Sequence, residues 1–146
     1  MDQIAEFVKK SGLEIPTYNV SLYDSPDGSD EILNRILSGE KRANTGLHNL
    51  FAAQMNLLPR VGDYTVLLDS KMQPRCITRT TKVEIVPFAD ITAEYAAVEG
   101  DGDKSLAYWR ESHCKIFTDA CNEVGMAFDE NMRCVCEYFE VVYMQN

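Results

Sequence analysis

The run Tyr64-Thr65-Val66-Leu67-Leu68, followed after a polar connection by Arg75-Cys76-Ile77-Thr78-Arg79-Thr80-Thr81-Lys82-Val83-Glu84-Ile85-Val86, decides the fold class. Its first part is a continuous apolar stretch of strand length, entered through Val61-Gly62-Asp63. Asp69-Ser70-Lys71-Met72-Gln73-Pro74 has the composition of a hairpin connection. In the returning segment Ile77, Thr81, Val83 and Ile85 share one face and Thr78, Thr80, Lys82 and Glu84 the other, which predicts one face in the core and one in water. Residues 133–143, rich in Val, Tyr, Phe and Cys, predict another strand.

Helices surround these strands without a regular β–α alternation. Ile4, Phe7 and Val8 mark a short amphipathic helix over residues 3–10, closed by Gly12. Residues 24–29 form a loop by their turn chemistry and lead into a helix that starts at Asp30-Glu31 and stops at Gly39. Residues 41–47 read as a short extended piece, and 48–58 as helical or irregular. A helix is expected to start near Asp90 or Thr92, and a longer one over 104–124, where Leu106, Trp109, Ile116, Phe117 and Ala120 recur at helical spacing. Strands and helices in this order favour an α+β barrel over a doubly wound sheet.

With 146 residues, 45% of them hydrophobic, one domain can bury a sizeable core. No apolar run approaches the roughly 20 residues of a membrane span, and the start lacks the basic-then-apolar order of a signal peptide. A cytoplasmic protein without a membrane partner is expected. Five cysteines, an odd number outside any small secreted framework, are expected to be reduced thiols. The net charge of -9 opposes tight, sequence-independent binding to DNA or long RNA, because phosphate neutralisation by Lys and Arg supplies most of that affinity. A small ligand fits this balance better.

Three groups of residues can carry chemistry. Lys41 follows the Gly39 stop by two residues, so it extends from a rigid element; a desolvated amine held that way can act as a base near neutral pH, whereas the plainer reading is a surface lysine. Glu99-Gly100-Asp101-Gly102-Asp103 places three carboxylates at the joint between two helices; the run lacks the spacing of a calcium loop, and Asp103 is expected to cap the long helix. Glu99 is left without a capping role. Trp109 reads as core or as a stacking wall for a base, and His113, four residues on, as a packed or capping histidine ahead of a catalytic one. Cys134 and Cys136 share one strand face, and neither histidine has a partner at ligand spacing, so no metal and no other cofactor is expected.

Taken together, Gly39-Glu40-Lys41, Leu47, Val61-Gly62-Asp63, residues 81–88, Glu99-Gly100-Asp101-Gly102-Asp103-x-Ser105-Leu106-x-x-Trp109-Arg110-x-x-His113, and Cys136-Glu137-x-Phe139-x-Val141-Val142-Tyr143 resemble the ASCH domain, in particular its bacterial stand-alone members. The resemblance divides the chain into an N-terminal helical flank, 1–25, and an ASCH domain, 26–146. It implies a PUA-like mixed β-barrel flanked by helices, with a cleft linked to RNA or modified nucleosides. Some similar proteins are amidohydrolases that deacetylate acetylcytidine, and others are linked to RNA cleavage. In the family motif Gly-x-Lys-x-x-Thr the lysine matches Lys41, and the catalytic glutamate matches Glu99. Asn44 stands at the threonine position, with Thr45 one step later, on the opposite face of a strand unless a bulge re-aims it.

The catalytic residues are therefore expected to be Lys41, Glu99 and Thr45, with Lys41 taking a proton and Glu99 giving one to the leaving amine. Asn44, Arg42, Asp101, Asp103 and Trp109 are expected to bind the substrate, a small nucleoside or nucleotide. The alternative is a non-catalytic module for a nucleotide or a single-stranded RNA end; a ribonuclease ranks third.

Overall fold

The computed structural model describes residues 2–23 and 28–145, so most of the loop expected over 24–29 lies outside the described residues. Tyr64–Leu68 (β3) and Pro74–Pro87 (β4) form the expected antiparallel hairpin. Its connection is held by the Asp69 carboxylate, which accepts from the backbone N–H groups of Lys71 at 2.9 Å and Gln73 at 3.0 Å. The sheet grows outward from this pair. Arg133–Met144 (β5) pairs with β4, Ala43–Leu47 (β2) closes one edge against β5, and Asn19–Leu22 (β1) closes the other, parallel to β3. The five strands curl into a half-barrel, the α+β arrangement that the order of elements favours.

Two irregularities in the β4–β5 register, at Ile77/Thr78 and at Thr80/Lys82, explain why β4 does not keep the expected alternation. A bulge puts one extra residue into a strand, and every side chain beyond it changes face. In β4 the extra residue is Thr81, so only the positions after it change face, and Ile85, expected in the core, is 44% exposed; Thr78 and Thr80 precede it and are buried because the sheet is covered on both sides there. The first half of β4 also has no face in water. Cys76 packs with Leu33, Ile36, Leu67 and Phe139 beneath the helix Glu31–Ser38 (α2), and Ile77 packs with Phe7, Val66 and Leu68 beneath the helix Gln3–Lys10 (α1). The Phe7 ring meets Tyr143 edge-on at 5.0 Å, which seats α1 on the sheet. The N-terminal segment thus holds the expected helix and also supplies an edge strand that the sequence reading left out.

A third cluster lies between the β2–β5 edge and the helices Ala93–Glu99 (α4) and Leu106–Glu123 (α5). Phe88 stands at its centre, 5.2 Å from Trp109 and 5.1 Å from Phe128. Between β2 and the hairpin, His48–Ala53 (α3) takes up the first half of the stretch read as helical or irregular. The cap of α5 is Ser105, whose hydroxyl accepts from the Tyr108 N–H, and not Asp103; the Asp103 carboxylate instead accepts from the Ser105 N–H at 2.9 Å. All five cysteines are free thiols, and among the described residues no helix is long and apolar enough to cross a membrane.

Leu33, fully buried between α2 and the sheet, tests how far the curl depends on this packing. Leu33→Ala is expected to lower unfolding free energy by about 2–5 kcal/mol. Met55→Ala, at a residue 92% exposed, should change it by less than about 0.5 kcal/mol. Urea denaturation of both variants checks this.

Candidate functional site

Lys41 owes its position to the way α2 ends. Gly39 adopts a left-handed conformation, φ 91°, and stops the helix. Arg42 turns its guanidinium back to donate to the carbonyls of Ile36 at 2.8 Å and Lys41 at 3.0 Å, while the Lys41 N–H bonds Arg35 O at 3.0 Å. The backbone of Arg42 also donates to Val98 O of α4 at 2.9 Å. Lys41 is thereby tied to two helices, and its side chain is only 3% exposed, so the surface-lysine reading does not hold.

The end of α4 meets this segment closely. Gly100 has φ 73°, and a Cβ there would lie 2.0 Å from Glu40 O, so only glycine lets the two backbones approach. Glu99, the last residue of α4, is thus set against Lys41, although 58 positions separate them.

The Glu99 carboxylate is surrounded by donors. Its Oε1 accepts from the Thr45 hydroxyl at 2.5 Å and from the Trp109 indole N–H at 2.6 Å; its Oε2 lies 3.3 Å from Lys41 Nζ and 3.3 Å from His113 Nε2. Both oxygens of Asp101 lie 3.2 Å from Lys41 Nζ. The His113 ring stacks on Trp109, centroids 4.2 Å apart, with Nδ1 at 3.0 Å from Trp109 O. The Tyr95 hydroxyl lies 2.8 Å from that of Thr45 and donates to Asn44 O at 3.0 Å.

Burial alone pushes the Glu99 carboxyl up, but the His113 hydrogen bond, the Lys41 charge and the Thr45 hydroxyl outweigh it and hold the group down at about 2. For Asp101 the balance is reversed: burial and the neighbouring Glu99 charge outweigh Lys41, and its carboxyl is raised. Burial and the Glu99 charge also raise the Tyr95 phenol. Glu99, Asp101 and His113 bring ligand atoms within 4.8 Å of one another, a grouping that spacing along the chain does not reveal. Lys41 already supplies the positive partner to both carboxylates.

This cluster lines a pocket of about 360 Å³ that runs past the β2 edge and also touches Tyr23, Phe51 and Glu137. The same three residues, with Asn44 and Pro59, line an adjoining cleft of about 830 Å³. Of the residues expected to form the site, Lys41, Glu99, Thr45 and Asp101 come together. Thr45 does point away from Asn44, but the face it occupies is the one that carries Lys41 and Glu99; β2 needs no bulge. Asn44 bonds the Tyr23 hydroxyl at 2.5 Å from the other face.

Three expected residues sit elsewhere. Arg42 closes α2, and Asp103 is exposed. Trp109, 2% exposed, lies beneath Glu99 and reaches it through its N–H, so the aromatic side chains that border the pocket are Tyr23 and Phe51. His113, singled out by its spacing from Trp109, is packed against that ring and also reaches Glu99. Tyr95 and Glu137 lie outside the expected set, although Tyr95 and Glu99 stand four apart on one helix face as Trp109 and His113 do.

A family model described as the ASCH domain matches residues 19–143. The chain belongs to the ASCH domain family. Its ASCH match takes in β1, and its barrel-like sheet with flanking helices is PUA-like. The chain is 30% identical to an ASCH domain from Lactobacillus crispatus JV V101, whose crystal structure matches it with a TM-score of 0.89 over 97% of this chain and 94% of that one. A crystal structure of a protein from Enterococcus faecalis V583 is 31% identical, with a TM-score of 0.79 over 94% of this chain and 84% of that one. No curated protein matches the chain.

The depressed Glu99 carboxyl makes a prediction about pH. Stability gained from an acid held below its ordinary value is complete above that value, 4.5, and is lost as pH falls toward the folded value of about 2. Glu99→Gln should remove this component between pH 4.5 and about 2 and, by leaving Lys41 with one partner fewer, cost about 3–5 kcal/mol at neutral pH. Chemical denaturation across that pH range reads both effects.

Proposed function

We propose that this ASCH protein is a metal-independent amidohydrolase that removes the acyl group from an acylated cytidine-like nucleoside. The observation that carries the reading is the 2.5 Å hydrogen bond from the Thr45 hydroxyl to Glu99 Oε1, in a pocket that Lys41 also lines. A hydroxyl bonded to a carboxylate is an activated nucleophile with its proton acceptor in place. In the proposed step Thr45 Oγ1 bonds to the acyl carbon as its proton moves to Glu99 Oε1. The carbon–nitrogen bond then breaks, the leaving amine takes that proton, and water hydrolyses the acyl ester left on Thr45. Lys41 Nζ, which lines the pocket beside Thr45, suits the developing oxyanion, a contribution of about 3 kcal/mol for one well-placed donor.

These roles differ from those the sequence suggests. Glu99, held at about 2, is a carboxylate at neutral pH and accepts a proton before it can give one. Lys41, ion-paired with Glu99 and Asp101, suits charge stabilisation better than proton abstraction. The second reading, a non-catalytic pocket for a nucleotide or the end of a single-stranded RNA, is favoured by the same network, since four donors on one carboxylate blunt its basicity.

Acetate release from N4-acetylcytidine separates the two readings. The wild-type protein should turn the substrate over, Thr45→Ala should be at least about a thousandfold slower, and Thr45→Ser should recover part of the loss. Lys41→Ala should cost about a hundredfold or more in kcat. Saturable nucleoside binding with no acetate released by the wild-type protein would establish the binding module instead.

A further inference from the structure

Glu137 lines the cleft and has no part in this mechanism. It lies on β5 directly opposite Asn44 of β2, so the two side chains share a face, and it borders both the smaller pocket and the larger cleft. Its Oε2 accepts from the Thr80 hydroxyl at 2.5 Å; among the described residues nothing bonds to Oε1, and no cation pairs with the carboxylate. The lysine and the arginine that line the cavities are already engaged by other acids. Lys41 is met by Glu99 and Asp101, and Arg60, whose side chain is 83% exposed, leans on Asp63 at 3.9 Å. Glu137 is left as a carboxylate without a cationic partner among the described residues, at the junction of the two cavities. Burial and the Asp63 charge raise its carboxyl, so the fold gains nothing from its ionised form. A glutamine there would keep the size and the acceptor for Thr80 while avoiding the cost of an unpaired, partly buried charge.

We propose that Glu137 is a specificity-determining residue, whose free Oε1 accepts from an N–H or O–H donor of an uncharged nucleoside and whose charge turns away a phosphate. This rests on the nucleoside reading of the pocket. Asn44 beside it supplies an amide that can donate and accept, so an uncharged ligand meets polar partners where a nucleotide meets a like charge.

The test compares cytidine with cytidine 5′-monophosphate by calorimetric titration at low salt. Wild-type protein should bind the nucleoside at least about tenfold more tightly, and raising the salt to about 0.5 M should narrow the ratio through screening, a result that needs no variant. Glu137→Gln should narrow the ratio to less than about threefold and weaken cytidine binding several-fold, with a melting temperature no lower than wild type. Equal binding of the two ligands by wild-type protein, or an unchanged ratio in Glu137→Gln, overturns the proposal. Acetate release from N4-acetylcytidine is read on the same samples. Release without discrimination removes the role of Glu137 and leaves the hydrolase standing; discrimination abolished by Glu137→Gln without release does the reverse. If neither ligand binds at millimolar concentration, both fall together.

Discussion

A carboxylate taken out of water is one of the most expensive groups a small domain can bury, and Glu99 is 3% exposed. It is tolerable only because four partners from two elements and one linker converge on its two oxygens. Thr45 comes from β2, Trp109 and His113 from α5, and Lys41 from the link between α2 and β2. The interaction therefore acts as a joint: each element must be in place for the charge to be matched. Removing one donor leaves the remaining ones to carry a charge that burial disfavours, so the site is coupled to the packing of α4 and α5 on the sheet edge.

Two backbone devices make the joint possible. Gly39 turns the chain sharply enough for Lys41 to face inward, and Gly100 removes the side chain that would hold α4 away from the Glu40 carbonyl. Arg42 and Arg35 finish the arrangement by bonding carbonyls at the ends of α2 and α4, Ile36 O and Gly100 O, at 2.8 Å each. Arg42 was expected to hold substrate, yet a guanidinium beside a helix end with unmatched carbonyls has a nearer use.

This division explains what the sequence could reveal. The Gly39 stop and the lysine after it are local, as are the hairpin and the glycine-spaced acids, and each was legible from a few neighbouring residues. Burial of Glu99 was not legible, because it depends on Thr45 and Trp109, 54 and 10 positions away. The assignment of Asn44 or Thr45 to the site turned on which face of β2 Lys41 shares, and that is set by how the edge strand sits against α4 rather than by strand parity. The strand β4 misled for a related reason. Its bulges are properties of the pairing with β5, invisible in an alternation that looks regular through residue 85. Glu137 carried no signal as a single acidic residue on a strand until its partner across the sheet proved to be Asn44.

The same network that keeps Glu99 ionised also limits it as a proton acceptor, and the geometry indicates where that limit can be relieved. Trp109 is locked by its burial and by the stacked His113 ring, so its N–H stays on Oε1. His113 is held from behind by the Trp109 carbonyl at 3.0 Å. Lys41 differs from both, because Asp101 offers it two oxygens at 3.2 Å, nearer than Glu99 Oε2 at 3.3 Å. Of the donors on Glu99, the lysine gives up its bond at least cost, since its charge remains matched. In the proposed reaction, a lysine that leaned toward Asp101 or toward a ligand oxyanion would weaken one of the interactions that hold the Glu99 carboxyl down, and would make the acceptor for the Thr45 proton more basic as charge developed elsewhere in the pocket. Asp101 thus completes the cluster as the alternative partner of the lysine.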